Sequence, residues 1–140
     1  DIEPEVALGA LQHHERINGT GYPLQSPAPK IHVFAKVIAV ADIYDALTSD
    51  RVYREAETPF TATEILAADM YEKLDPEVCT VFLRHIRDYL VGNAVELSDG
   101  RIAEVLLFPS DVFSPPMVRT DDGEFIDLAR TPGIRIVRLA

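Results

Sequence analysis

Cysteine, positive charge, long apolar runs and repeats are all scarce or absent in this sequence, and each shortage narrows what the chain can be. A single cysteine, Cys79, in 140 residues rules out an internal disulfide framework and suits a reducing compartment. Cys79 falls in an apolar helical pattern, which reads as a buried structural thiol rather than a nucleophile. Three lysines and ten arginines against 23 acids leave a formal net charge of −10. A surface of that sign is unsuited to nucleic-acid polymers, which need clustered base. Although 47% of the residues are hydrophobic, no run is long enough to cross a bilayer. The opening Asp1-Ile2-Glu3-Pro4 leads into nothing like a signal peptide. A cytoplasmic, bacterial setting is the resulting expectation, the bacterial part resting on the resemblance given below. There is no internal repeat, low-complexity tract or heptad array. The length allows one ordinary domain with a real core, or a small one with an appendage.

What is present divides by periodicity. Residues 4–15 predict a short helix, with Pro4 at an early helical position and Glu5 complementing the dipole. Residues 16–30 hold Gly19, Gly21, Pro23, Pro27 and Pro29 and predict a stiff loop. A second helix over 31–47 is apolar nearly all round, which is expected of a helix in the middle of a bundle. A polar stretch over 48–58 precedes a third helix over 59–73, with Thr58 as cap and Thr61-x-x-Glu64 as an alternative capping box. A fourth helix starts at Asp75-Pro76 and runs to about Val91 and Gly92. Beyond Gly92 the pattern becomes that of strands: a hairpin over 94–97 and 102–108, then strands near 117–119, 125–128 and 134–137. The expected fold is therefore mainly α, a helical bundle over 1–91, followed by a small antiparallel β subdomain over 92–140.

Three residues raise a question of chemistry. His13 and His14 stand together at the end of the first helix, and Asp42 lies in the most apolar part of the second. A carboxylate there is costly unless paired, hydrogen-bonded or bound to a cation. Imidazole plus carboxylate is a ligand set for iron, manganese or zinc. Neighbouring helical residues point about 100° apart, so two metals are easier to serve than one unless the helix frays at that point. The competing reading is that the histidines cap a helix C-terminus; Asp42 tips the balance towards metal. Glu15 reads as a third ligand, an outer carboxylate orienting an imidazole, or a solvated acid beside Arg16. His32 and His85 read as structural or surface residues, and Asp45 as an anchor for Arg51 or Arg54 or as a cap. Arg51 and Arg54 suit phosphate, because arginine is the better bidentate partner. The alternative is a surface pair offsetting acids such as Asp50 and Glu55.

Two strings, His13-His14-Glu15-Arg16-Ile17-Asn18-Gly19-Thr20-Gly21-Tyr22-Pro23 and Ala39 through Arg54, closely resemble the HD-GYP domains of the HD superfamily. The resemblance covers residues 1 to about 90. It implies a metal-dependent phosphodiesterase that hydrolyses cyclic di-GMP with metal-activated water. His13, His14 and Asp42 match metal ligands, with iron or manganese favoured among divalent metals. Gly21, Tyr22 and Pro23 match the loop that shapes the ligand pocket and has been linked to protein partners, diguanylate cyclase-type proteins among them. Arg51 and Arg54 match positions that contact the dinucleotide phosphates. The trailing β unit resembles an extension that some members carry.

Two departures from the pattern matter. Ile17 and Asn18 replace an aromatic and an aspartate; Asn18 still suits a tight turn, so the loop is expected to keep its conformation. The His-Asp pair that gives the family its name is absent from these 140 residues, and with it half of the expected ligands. The expectation is a C-terminal piece of a longer protein, with a sensory or receiver domain upstream, inactive alone and prone to oligomerise through faces the missing helices would cover. The alternative is a degenerate, non-catalytic module that binds a nucleotide or protein through the Gly-Tyr-Pro loop.

Overall fold

The computed structural model describes residues 1–140. Four helices come first: α1 (Pro4–Gln12), α2 (Val33–Thr48), α3 (Pro59–Asp69) and α4 (Pro76–Leu90), with a short 3-10 turn at Ala28–Lys30. Five strands follow, β1 (Ala94–Leu97), β2 (Ile102–Leu107), β3 (Met117–Thr120), β4 (Phe125–Asp127) and β5 (Ile136–Leu139). They form one antiparallel sheet in the order β4-β3-β2-β1-β5. The expected class, helices followed by a small antiparallel β subdomain, is what the chain adopts.

Local chemistry accounts for most of the boundaries. Thr58 caps α3 by accepting the Thr61 N–H at 3.1 Å, and Asp75 caps α4 by accepting the Val78 N–H at 3.0 Å. His32 does the same for α2, its Nδ1 accepting the Phe34 N–H at 3.1 Å. The structure departs from expectation at three ends. Helix α1 stops at Gln12 rather than residue 15, leaving both histidines in a turn. Helix α3 stops at Asp69 rather than 73, because Met70 is extended and Tyr71 takes a positive φ of 79°. The last strand starts two residues later than expected. Ile134 is used in a turn, its N–H donating to the Thr131 carbonyl at 3.0 Å, and a bulge at Glu96/Leu97 sets the pairing with β1.

Two cores form, and each borrows from the other half of the chain. Val40, Leu66, Ala67, Met70, Leu74, Cys79 and Leu83 fill the helical core, joined by Val112 from the loop between β2 and β3. The inner sheet face (Val95, Leu97, Ala103, Val105, Val118, Ile126, Leu128) closes over Phe60 of α3 and Leu90 of α4. Arg87 of α4 clasps the same loop. Its guanidinium donates to the carbonyls of Asp111 and Val112, both at 2.6 Å, and Ser114 at 3.0 Å, and lies over the Phe108 ring. Cys79 is buried, as expected of a structural thiol. Desolvation, with the charges of Asp69 and Asp75 nearby, pushes its thiol up to about 11.

Helix α2 is not enclosed on all sides, and apolar faces stand open as expected of this part of the bundle. Its inner face (Ala35, Ala39, Val40, Leu47) is buried, but Val33, Phe34, Val37 and Ile38 are exposed, Phe34 and Val37 each by 48%. Val6 and Leu11 of α1 are exposed as well. An apolar circumference shows that a helix can be surrounded, not that these residues surround it.

Candidate metal centre

The centre begins with a close helix crossing. A Cβ on Gly9 would lie 3.0 Å from Ile38 Cδ1, so glycine lets α1 lie tightly on α2. Gln12, buried at the end of α1, then ties the two together: its Nε2 donates to the Lys30 carbonyl at 3.0 Å, and its Oε1 accepts the His32 N–H at 2.9 Å. This crossing delivers the turn after α1 to the middle of α2.

His13, His14 and Asp42 meet there, each offering a ligand atom within 4.8 Å of the others. The two imidazoles have centroids 4.0 Å apart and are tilted by 41°. Because the helix has already ended, the wide angular separation of helical neighbours does not apply, and the donors converge on a volume suited to a single ion. The two readings of the histidines are both realised in His13. Its Nδ1 lies 2.7 Å from the Ala10 carbonyl, an acceptor only, so Nδ1 is the donor in this contact. It caps the helix with Nδ1 and is at the same time a member of the cluster. Asp42 is exposed, so the cost of a buried carboxylate argued from the sequence does not arise. Two imidazoles and a carboxylate fit a divalent transition metal.

The loop over 16–30 is built against this turn. Asn18 Oδ1 accepts the Thr20 N–H at 3.1 Å, the tight turn that was expected in spite of the substitution. Gly21 packs so closely that a Cβ would lie 2.3 Å from the His14 carbonyl oxygen and 2.5 Å from the Arg16 nitrogen. The Tyr22 N–H donates to that same carbonyl at 3.3 Å. The Tyr22 ring stacks on His14 at 4.7 Å and 18°, although Tyr22 and Pro23 are exposed. Glu15 is neither solvated nor turned to the cluster. It is buried, and its two oxygens accept the N–H groups of Leu24 at 2.6 Å and Ser26 at 2.9 Å.

Arg51 and Arg54 stand apart from the cluster. They form the stem of a tight turn after α2, the Arg51 N–H donating to the Arg54 carbonyl at 2.9 Å and the Arg54 N–H to the Arg51 carbonyl at 3.1 Å. Arg54 pairs with Glu57 at 3.7 Å. Asp45 anchors neither arginine and instead accepts the Ser49 hydroxyl at 3.4 Å. From Asp42 to the end of α2 at Thr48 the helix rises roughly 9 Å, so the arginine turn follows the helix end more than a turn away from the cluster.

Sequence reasoning missed Gln12 and the part played by Glu15. One signal was available. A loop rich in glycine and proline makes few regular hydrogen bonds, so its buried N–H groups need an acceptor from elsewhere, and Glu15 is the acid at its mouth.

The chain belongs to the HD-domain family, whose description, HD domain, matches residues 3–78, and its relatives place it with the HD-GYP proteins. One relative is a cyclic di-GMP phosphodiesterase of Pseudomonas aeruginosa, 41% identical over 96 residues, covering 69% of this chain and 23% of the relative. Another is the cyclic di-GMP phosphodiesterase response regulator RpfG of Xanthomonas campestris, 44% identical over 78 residues, 56% of this chain and 21% of the relative. A third is a 3'3'-cGAMP-specific phosphodiesterase of Vibrio cholerae, 38% identical over 92 residues, 66% of this chain and 20% of the relative. The chain spans less than a quarter of the length of these relatives. None of its helices is long and apolar enough to cross a membrane.

Proposed function

We propose that this chain forms one wall of a metal-dependent phosphodiesterase site in a full-length protein that hydrolyses cyclic di-GMP. The observation that carries this reading is the convergence of His13, His14 and Asp42 within 4.8 Å, in a chain whose relatives bear that activity in their names. These residues would hold a divalent transition metal, a donor set open to iron, manganese or zinc, with iron or manganese favoured by the resemblance. Such an ion supplies Lewis acidity to the phosphodiester and makes water a usable nucleophile at neutral pH. His13 offers an imidazole nitrogen, and Asp42 supplies the anionic donor. Arg51 and Arg54, at the far end of α2, would bind a phosphate of the dinucleotide. Gly21, Tyr22 and Pro23 would form the pocket edge and a docking loop for diguanylate cyclase-type proteins. The exposed face of α1 and α2 would receive the preceding part of the same domain, which would supply the remaining ligands. A sensory or receiver domain would lie upstream.

The 3'3'-cGAMP-specific relative gives a second substrate of the same chemical class, cyclic 3'3' dinucleotides. A non-catalytic module that binds through the exposed Tyr22 remains the alternative in kind. The test is Asp42→Ala in the full-length protein, assayed for metal content and for hydrolysis of both dinucleotides. We expect bound metal to fall and turnover to drop by at least about a hundredfold, as for loss of a metal-assisted step. Undiminished metal and turnover would sink the assignment. A wild-type protein that binds cyclic di-GMP without turning over either dinucleotide would favour the binding module.

A further inference from the structure

We infer that Glu15 is a positioning residue for His14. Its buried carboxylate clamps the Gly-Tyr-Pro loop down so that the Tyr22 ring sets the orientation of the His14 imidazole towards Asp42. The inference rests on the metal-centre reading above and assigns a task to residues outside the ligand set.

The two histidines are held in different ways. His13 is oriented by a hydrogen bond from Nδ1 to the Ala10 carbonyl at 2.7 Å. No hydrogen bond holds the His14 ring, and its only oriented neighbours are the tilted His13 ring and the stacked face of Tyr22. Tyr22 is 60% exposed, so its place over His14 is not a by-product of core burial. Something must keep the loop there.

Glu15 is the group that does so. It is 3% exposed and forms no ion pair, because the Arg16 guanidinium beside it donates to the carbonyls of His13 and Glu15 instead. A buried carboxylate without a cation has to be satisfied by strong donors. Here these are the main-chain N–H groups of Leu24 and Ser26, one on each oxygen. They lie just beyond Pro23, so the carboxylate pulls in the far side of the loop. Gly21 lets the near side come to contact distance with the His14 and Arg16 main chain. Clamped at both ends, the loop has one place for Tyr22. Glutamine at position 15 would turn its amide NH2 against one of the two N–H donors and release that side.

The experiment uses the full-length protein with selectively labelled histidine, and reads His14 ring resonances in the metal-free state and Mn2+ affinity by calorimetry. Glu15→Gln is expected to move the His14 ring protons out of the Tyr22 ring current and to weaken Mn2+ binding about tenfold, the lower end of what losing an outer partner of a metal ligand does. Tyr22→Leu, a surface change that does not depend on Glu15 for folding, is expected to move the same resonances and weaken binding less, and Tyr22→Phe to restore both. Val118→Ala, which lowers stability in the sheet core, controls for general loosening and is expected to bind Mn2+ as the unmodified protein does. Unmoved His14 resonances in Glu15→Gln overturn the inference, as does unchanged Mn2+ affinity in both Glu15→Gln and Tyr22→Leu. So does an equal loss of affinity in Val118→Ala. If Asp42→Ala binds Mn2+ as tightly as the unmodified protein, the metal-centre reading fails instead, while the metal-free resonances still report on the clamp.

Discussion

The sheet and the α1–α2 side of the bundle differ in what accompanies their apolar residues. The sheet buries a complete inner face over Phe60 and Leu90 and dresses its outer face with cross-strand pairs, Arg119 with Glu104 and Arg138 with Glu96. On the α1–α2 side, Val6 and Leu11 of α1 and Phe34 and Ile38 of α2 are 40–56% exposed, on the two helices that bring His13, His14 and Asp42 together. The sheet also exposes apolar residues, Leu107, Phe125 and Leu139 among them, but with no ligating cluster beside them; the helical side has both. An apolar wall beside convergent polar groups is how binding sites are usually lined. The difference teaches that the candidate metal centre lies on the less covered side, with the sheet and the α3–α4 side packed behind it.

That contrast can be broken by substitution. The largest effect is expected at the closed core, where Leu83 has no exposure. Leu83→Ala should cost about 3–5 kcal/mol of unfolding free energy by denaturant titration. Next comes the clasp between the halves. Arg87→Met removes the donors to three carbonyls and should cost about 2–3 kcal/mol. A loss below about 0.5 kcal/mol would mean that the sheet is held by its apolar contacts alone.

A smaller effect is expected at Asp75, which caps α4 and pairs with Lys36 of α2 at 3.2 Å. Asp75→Ala should cost about 1 kcal/mol. Burial raises the pKa of this carboxyl, but the Val78 N–H and Lys36 outweigh it and hold the value below the ordinary 3.8. A lowered folded-state value means that the stabilisation is present above pH 3.8 and is lost as the pH falls below it. Acid titration of stability in the variant should therefore be flatter in that range. Least of all is expected on the open side, where Phe34→Ser and Val37→Ser should change stability by under about 0.5 kcal/mol. Their effect should appear in light scattering instead, as weaker self-association of the 140-residue chain. A chain that is monomeric before substitution would count against an adhesive open face.

Elements specified within a few residues were legible in the sequence. Thr58-Pro59 and Asp75-Pro76 announce helix starts, and Asp121-Asp122-Gly123 announces the turn between β3 and β4. The site was legible as far as its ligand types, and His13, His14 and Asp42 do come together. What failed depended on distant partners. Helix α1 ends early so that Gln12 can reach Lys30 and His32, eighteen and twenty residues away. The register of β5 follows a bulge in β1, about forty residues upstream. Arg87 was not legible at all, because nothing near it hints at carbonyls 24 to 27 residues further on.

The exchange of side chains between the two cores also decides how the molecule can be taken apart. Helix and sheet are joined as a mortise and tenon, Val112 entering one side and Phe60 and Leu90 entering the other. A cut after Val91 would yield no finished part: the bundle would keep two bare apolar pegs and an arginine with nothing to grasp, and the sheet would be left with a hole at its centre. The two should accordingly melt together, in one transition rather than two.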